Sequence, residues 1–348
     1  MKNKKILLVD VDSKIPNLVL MKISTYHKKK ENSVKLKKLN YVYYPDKKKN
    51  KITIDGAKYN KVYVSIIFDT NKDKVNIINC DDVEFGGTGY DLTVKLPQEI
   101  DDCKEDYSIY PDNEISYGFI TRGCIRQCKF CVVPRKEGVI HKYRKVEDII
   151  KHKKVKFLDN NIFAFKDCND ILQELIDLKV RCQFHQGLDI RLIDDEKAKL
   201  ISQLNYIPEY IFAFDNINDE NLINKKLKII KKYIPDDWKL KFYIYCHPDQ
   251  DIFNDLLYRI NWCKKNKVLP YLMRDISCWN SKNCKFYVDL AGWCNQAGLF
   301  KKMDFGKFLL KRHLNEDSIF RVIISKNISV GKDILVKKRM KGGLKENE

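Results

Sequence analysis

Apolar and polar positions follow two successive rhythms along this chain. In residues 1–97 the stretch 5–11 is nearly all apolar, with Asp10 the one acidic interruption. Such a run predicts a strand covered on both faces. Pro16 suits the first turn of a helix, and Val19, Ile23 and Tyr26 then recur at helical spacing. Stretches 34–42 and 62–68 predict further strands, and Gly86-Gly87-Thr88-Gly89-Tyr90 predicts a turn. This order predicts a small, open, Rossmann-like α/β domain over 1–97. Residues 98–114 are acidic, end in Tyr110-Pro111-Asp112-Asn113-Glu114, and read as a linker.

A second rhythm begins at Ile115. Strands are expected at 117–121, 155–158, 181–185, 210–214, 240–245 and 268–273, with amphipathic helices between them. Ile223, Leu227, Ile230 and Ile234 mark one helix face, and Leu256, Ile260 and Cys263 another. Asn169 and Asp194 stand where N-caps belong. Six βα units in series predict a partial (βα)6 barrel over 115–277. In such barrels chemistry gathers at the carboxyl ends of the strands. Each strand here ends on polar or thiol groups. A cysteine loop follows the first, and Asp159, Asn160 and Asn161 the second. Gln186, Asp189 and Arg191 follow the third, and Asp215 and Asn216 the fourth. Cys246 and His247 follow the fifth, and Arg274 and Asp275 the sixth. Any one of these is as readily a turn or cap residue. Six in succession point to function. Beyond Cys278 the rhythm stops, and 286–293 and 300–310 read as aromatic-rich helices. The C-terminal extension, 278–348, ends in a charged tail over 337–348 that is expected to fray.

Composition narrows the class. The chain has 348 residues, 44% hydrophobic and 32% charged, which suits a globular protein and not a disordered one. No apolar run approaches the length of a membrane span. The first apolar stretch is broken by Asp10 and Asp12 and reads as a strand, not a signal peptide. A cytoplasmic protein with no membrane partner is expected. The net charge of +19 suggests a polyanionic partner. However, 55 lysines against 11 arginines are spread along the whole chain, which equally describes a solvated surface. Arg122, Arg126, Lys129, Arg135 and Lys136 surround the cysteine loop, and 332–341 is basic. Weak RNA or DNA binding near the barrel opening, driven by phosphate contacts, is consistent with that placement.

Twelve cysteines in a reducing compartment argue against a disulfide framework. Cys80, Cys103, Cys168, Cys182, Cys246 and Cys263 are scattered and suit buried thiols. One tight cluster stands apart: Cys124, Cys128 and Cys131, inside Tyr117-Gly-Phe-Ile-Thr-Arg-Gly-Cys-Ile-Arg-Gln-Cys-Lys-Phe-Cys-Val-Val-Pro134. Structural zinc wants four protein ligands, and the nearest further donor is His141. Three thiolates on an iron–sulfur cluster leave one iron open to a substrate or cofactor.

Cys124-x3-Cys128-x2-Cys131, with Phe130 just before the third cysteine and a barrel strand just before the loop, resembles the radical S-adenosylmethionine (SAM) superfamily. The resemblance implies that the three cysteines hold a [4Fe-4S] cluster and that SAM chelates the fourth iron. An electron from a reductant such as flavodoxin or ferredoxin then cleaves SAM. The resulting 5′-deoxyadenosyl radical abstracts hydrogen from a substrate. Phe130 matches the aromatic position near the adenine. Asp159-Asn160-Asn161 stand where the family usually has Gly-Gly-Glu, and the glycines and the Glu are absent. Gln186, Asp189 and Arg191 fall where ribose or carboxylate contacts are common, an Arg gripping a carboxylate bidentately. Asp215 and Asn216 are further candidates for SAM or substrate contact.

The first hundred residues resemble the cobalamin-binding-type domain that precedes many such barrels. The matching pieces are Leu7-Leu8-Val9-Asp10, the segment 16–21 and Gly86-Gly87. The cobalt-ligating Asp-x-His-x-x-Gly signature is missing, and His27 is the sole histidine of this region. A degenerate domain without the corrin is implied, so cobalamin is not expected. Cys278, Cys284 and Cys294 are candidates for an auxiliary cluster, although their spacing matches no compact ligand motif. No residue pattern names the substrate, and a nucleic acid or nucleotide stays among the classes considered. Two other readings remain: a nucleic-acid-binding protein with a structural metal, and a simple Fe–S electron carrier.

Overall fold

The computed structural model describes residues 3–39 and 51–312. The end of the expected strand 34–42, the basic stretch 332–341 and the tail 337–348 lie outside the described residues. The chain divides into two compact units, Met1–Asn160 and Asn161–Glu348. Both combine parallel strand pairing with helices, which makes the protein α/β. Among the described residues no helix is long and apolar enough to cross a membrane.

The first unit opens with β1 (Lys5–Asp10), α1 (Leu18–Lys29), β2 (Ser33–Lys38), β3 (Ile52–Asp55), β4 (Lys61–Ser65), β5 (Val75–Ile78) and β6 (Val83–Gly86). One sheet runs β2-β1-β4-β6, parallel throughout. β3 and β5 form a separate parallel pair. The apolar run of β1 serves two cores. Ile6 and Leu8 pack with Leu20 and Ile23 of α1, while Leu7 and Val9 pack with Ile54, Val62 and Val64. A strand buried on both faces has no room for alternation.

Pro16 does not enter α1. Asn17 is the cap, accepting from the Leu20 N–H at 3.1 Å, and Pro16 stands just before it. The strand expected over 62–68 stops at Ser65. The N–H groups of Ile67 and Phe68 turn away to the buried Asp12 carboxylate, at 2.8 and 3.1 Å. Residues 98–114 fold within this unit. Their short helix α2 (Gln98–Asp101) buries Ile100 beside Leu20 and Ile23, and the Tyr110 hydroxyl donates to Asp10 at 2.8 Å.

The first unit continues through β7 (Ile115–Gly118), β8 (Thr121–Arg122), α3 (Val133–Lys136), β9 (His141–Lys142), α4 (Val146–Ile149) and β10 (Lys154–Phe157). β7 and β10 pair in parallel, and β8 and β9 are antiparallel.

The second unit alternates helix and strand: α5 (Cys168–Asp177), β11 (Arg181–Phe184), α6 (Asp195–Gln203), β12 (Tyr210–Ala213), α7 (Glu220–Tyr233), β13 (Leu240–Cys246), α8 (Leu257–Lys265) and β14 (Leu269–Arg274). β12, β13 and β14 form a parallel sheet. Single parallel bridges, Cys182 to Tyr206 and Leu188 to Phe212, tie the β11 side to the β12 side. The helical periodicity is realised on α7, which buries Ile223, Leu227 and Ile230. Asp194 caps α6 through the Lys197 N–H at 2.8 Å. Asn169 is not a cap: α5 starts at Cys168, Asp167 holds the cap position, and Asn169 lies in the first turn.

After β14 the chain is helical, with α9 (Ser277–Asn280), α10 (Cys284–Cys294), α11 (Ala297–Lys302) and α12 (Phe305–Lys311). Trp293 packs against Phe300 and Phe305 with ring centroids 5.0 and 5.3 Å apart. Aromatic rings of this size carry most of a small helical core.

Candidate functional site

The cysteine loop hangs from β7 by a short, tightly held lead. The Asp159 carboxylate, fully buried after β10, accepts from the N–H groups of Ile120 and Thr121, at 3.2 and 2.6 Å, and from the Thr121 hydroxyl at 2.7 Å. Burial raises this carboxyl to about 6, and the Thr121 and backbone donors pull against that rise. Asn160 holds the next position, its side-chain oxygen accepting from the Gly123 N–H at 3.0 Å. Asp159 and Asn160 therefore fix the chain immediately ahead of Cys124.

Gly123 makes the turn into the loop. Its φ is +86°, and an added Cβ would lie 2.4 Å from the Val139 carbonyl oxygen. No other residue type fits there without displacing backbone. The base of the loop is closed by Thr121 and Arg122 pairing with Lys142 and His141, and by the Cys124 N–H donating to the Gly138 carbonyl at 3.1 Å.

Within the loop the three thiols are half-buried. The Cys124 sulfur accepts from the Arg126 N–H at 3.3 Å, and the Cys131 sulfur from the Val133 N–H at 3.5 Å. The Cys131 N–H donates to the Cys128 carbonyl at 2.9 Å, a tight turn between the last two cysteines. Phe130 is 43% exposed, a large apolar ring facing solvent beside the thiols. Among the described residues, no three His, Cys, Asp or Glu side chains are gathered into a ready-made metal site. In donor chemistry the loop fits an iron–sulfur group: three thiols lie within eight residues, and two sulfurs already accept backbone N–H groups.

The basic ring around the loop is divided. Lys129 and Arg135 are exposed. Arg122 is turned inward, donating to Glu137 at 2.6 Å and stacking over Phe119 and Tyr143, with the guanidinium carbon 4.7 and 5.0 Å from the ring centroids. Lys136 also turns inward, donating to the Thr88 hydroxyl at 2.5 Å. The charge available to an external phosphate is smaller here than the sequence suggests.

The remaining candidates lie in the second unit, and most are occupied with one another. The Asn161 amide donates to Asp189 at 3.3 Å. Arg191 donates Nε and Nη2 to Asp189, at 2.8 and 3.2 Å, and Nη1 to Asp219 at 3.0 Å. Asp189 also caps its own turn through the Arg191 N–H. Asp215 accepts from the Tyr245 N–H at 2.8 Å, and burial raises its carboxyl. Asn216 is exposed and caps the Asn218 N–H at 3.0 Å. Gln186 is exposed.

Sequence reasoning missed several partners. Asp219 and Glu137 complete the two arginine pairs. Arg259, fully buried on α8, donates to the carbonyls of Phe214 and Tyr245 at the ends of β12 and β13. A lone Arg among Ile260, Trp262 and Cys263 was the available signal for that last role. Of the three late cysteines, Cys278 lies against Cys246, sulfur to sulfur 3.9 Å, while the Cys294 thiol donates to Asn295. They are not gathered with Cys284 into a ligand group.

No family model and no curated protein matches the sequence. Among solved structures, SuiB of Streptococcus suis, crystallised with precursor peptide SuiA, is similar at a TM-score of 0.34 and 13% identity. The similarity covers 61% of this chain and 46% of that one, so the chain spans less than half the length of this neighbour.

Proposed function

We propose that the protein is a radical SAM enzyme whose first unit carries a degenerate cobalamin-binding-type domain and whose later strands form the partial barrel. The observation that supports this is the Cys124-x3-Cys128-x2-Cys131 loop, which lies between β7 and β10, two strands paired in parallel. A [4Fe-4S] cluster held by the three cysteines would supply the electron that cleaves SAM into methionine and a 5′-deoxyadenosyl radical.

The chain's own residues have definite parts in this reading. Cys124, Cys128 and Cys131 would hold the cluster as its ligands, metal binding and local ordering being coupled. Asp159 and Asn160 hold the lead into the loop and act as positioning residues, in place of a direct contact with SAM. Phe130 offers its exposed ring to the adenine. Asn161, Asp189 and Arg191 form one connected polar group, so a carboxylate reaching Arg191 would compete with Asp189 and Asp219. Gln186, Asp215 and Asn216 complete the proposed SAM or substrate contacts. The electron donor would be a flavodoxin or ferredoxin.

The test is anaerobic reconstitution with iron and sulfide. About four of each per chain are expected, together with release of 5′-deoxyadenosine from SAM under dithionite. An intact, reducible cluster that neither binds nor cleaves SAM would replace this reading with that of an electron carrier.

A further inference from the structure

A cavity of about 480 Å³ lies wholly within the first unit. One wall is apolar, with Leu20 and Ile23 from α1 and Val94 from the segment after β6. The other is polar, with Arg122 from β8 and Lys136 from α3, which bracket the cysteine loop, and with the carboxylates of Glu84, Asp101 and Glu137, which are paired with Lys61, Lys22 and Arg122.

Two features of the polar wall are unmatched. Lys136 is half-buried, and its ammonium donates to a neutral hydroxyl, that of Thr88. Burial holds this lysine below the usual range; the Glu137 charge opposes that shift and the Arg122 charge adds to it. The Arg122 guanidinium satisfies Glu137 through Nη2, but its Nε–H is buried without an acceptor. A buried donor left unpaired costs free energy, and a buried cation costs more. An acceptor carrying negative charge in the cavity answers the lysine, since charge-assisted hydrogen bonds are the strong ones. Concave sites that join an apolar body to a few convergent polar groups are the usual form of a small-molecule pocket.

We propose that this cavity binds an organic anion with an apolar body. Its carboxylate, sulfonate or phosphate sits on the Lys136 ammonium, on the wall that Arg122 shares, and its body lies against Leu20, Ile23 and Val94. Arg122 stands two residues before Cys124, and Lys136 five residues after Cys131. An anion held on that wall would lie against both ends of the cysteine loop. The site stands on the cavity and its donors, and does not depend on the radical SAM reading.

Two fluorescent probes of similar shape test it on the full chain: anilinonaphthalene sulfonate, which is anionic, and N-phenylnaphthylamine, which is uncharged. The sulfonate should bind saturably, one per chain, and Lys136→Met should weaken it about tenfold, the worth of one charged hydrogen bond. The uncharged probe should not respond to that substitution. Gly86→Leu should weaken both probes. Gly86 lines the cavity, and a Cβ added there meets only Val94, at 3.8 Å. Thermal melts establish that each variant is folded, and Lys136→Met, on a half-exposed side chain, decides the matter if Gly86→Leu does not fold. Sulfonate binding that is absent, or equal in wild type and Lys136→Met, overturns the site. Equal weakening of both probes by Lys136→Met overturns the anion.

Discussion

In the second unit, Arg191 commits three guanidinium nitrogens to Asp189 and Asp219, and Asp215 is taken by the Tyr245 backbone. In the first unit, the cysteine loop keeps its thiols half-buried and Phe130 exposed, and is gripped from outside by Asp159 and Asn160. Both regions are polar ends of parallel strands. In one, the polar groups satisfy each other. In the other, two polar groups hold the backbone ahead of the reactive residues, and those residues stay accessible. A strand-end residue that looks chemical in sequence can therefore be the holder or the held, and the hydrogen-bond partners decide which.

The sharpest way to break this comparison is to remove the thiols. Replacing Cys124, Cys128 and Cys131 together by Ala should reduce reconstituted iron from about four per chain to near zero. The thermal midpoint of the metal-free protein should barely move, because half-buried thiols contribute little packing. Retained iron would show that the loop is not the centre.

Removing the holder should do the reverse. Asp159→Ala leaves two buried N–H groups and a hydroxyl without their acceptor and should cost about 3 kcal/mol or more in denaturant melts. Gly123→Ala should cost about 2–3 kcal/mol, through positive φ and the encounter with the Val139 carbonyl. A neutral result at either position would mean that the lead into the loop is held by something else.

The pH dependence sharpens the same point. The Asp159 carboxyl titrates at about 6 in the folded protein and near 3.9 in an unfolded chain. The folded state thus binds this proton more tightly. Stability from the group is complete below about pH 4 and is lost as pH rises through about 6. Compared with Asp159→Asn, the wild type should lose an additional 1–3 kcal/mol, roughly, between pH 4 and 7. Parallel stability curves for the two proteins would contradict the buried carboxylate.

The smallest effect is expected in the second unit. Arg191→Met should cost about 1 kcal/mol, since the pair with Asp219 is partly open to water. A loss several times larger would make this group as structural as Asp159.

Much of the fold was legible in the sequence. The two-sided burial of β1 and the α7 stripe Ile223, Leu227 and Ile230 follow directly from periodicity. The cysteine loop was legible because thiols at short spacing have few other reasons to be there. The roles of Asp159, Asn160 and Arg191 were not, because each is set by a partner distant in sequence: Thr121, Gly123 and Asp219. The end of β4 was missed for the same reason, since Asp12 diverts the two N–H groups that would have continued it. Pattern along the chain reports which face is buried. It does not report which acceptor a backbone donor finds.

The hydrogen bond from Tyr110 to Asp10 has a consequence for synthesis. It joins residues 100 positions apart, and the sheet it braces pairs β1 with β4 across another long separation. A ribosome adding about 5–20 residues per second needs about 5–20 s to travel from Asp10 to Tyr110. Through that interval β1 has emerged without its clasp, its apolar side chains open to chaperones and to neighbouring nascent chains. The first strand made is clasped only after all six strands of its region, β1 to β6, have been synthesised.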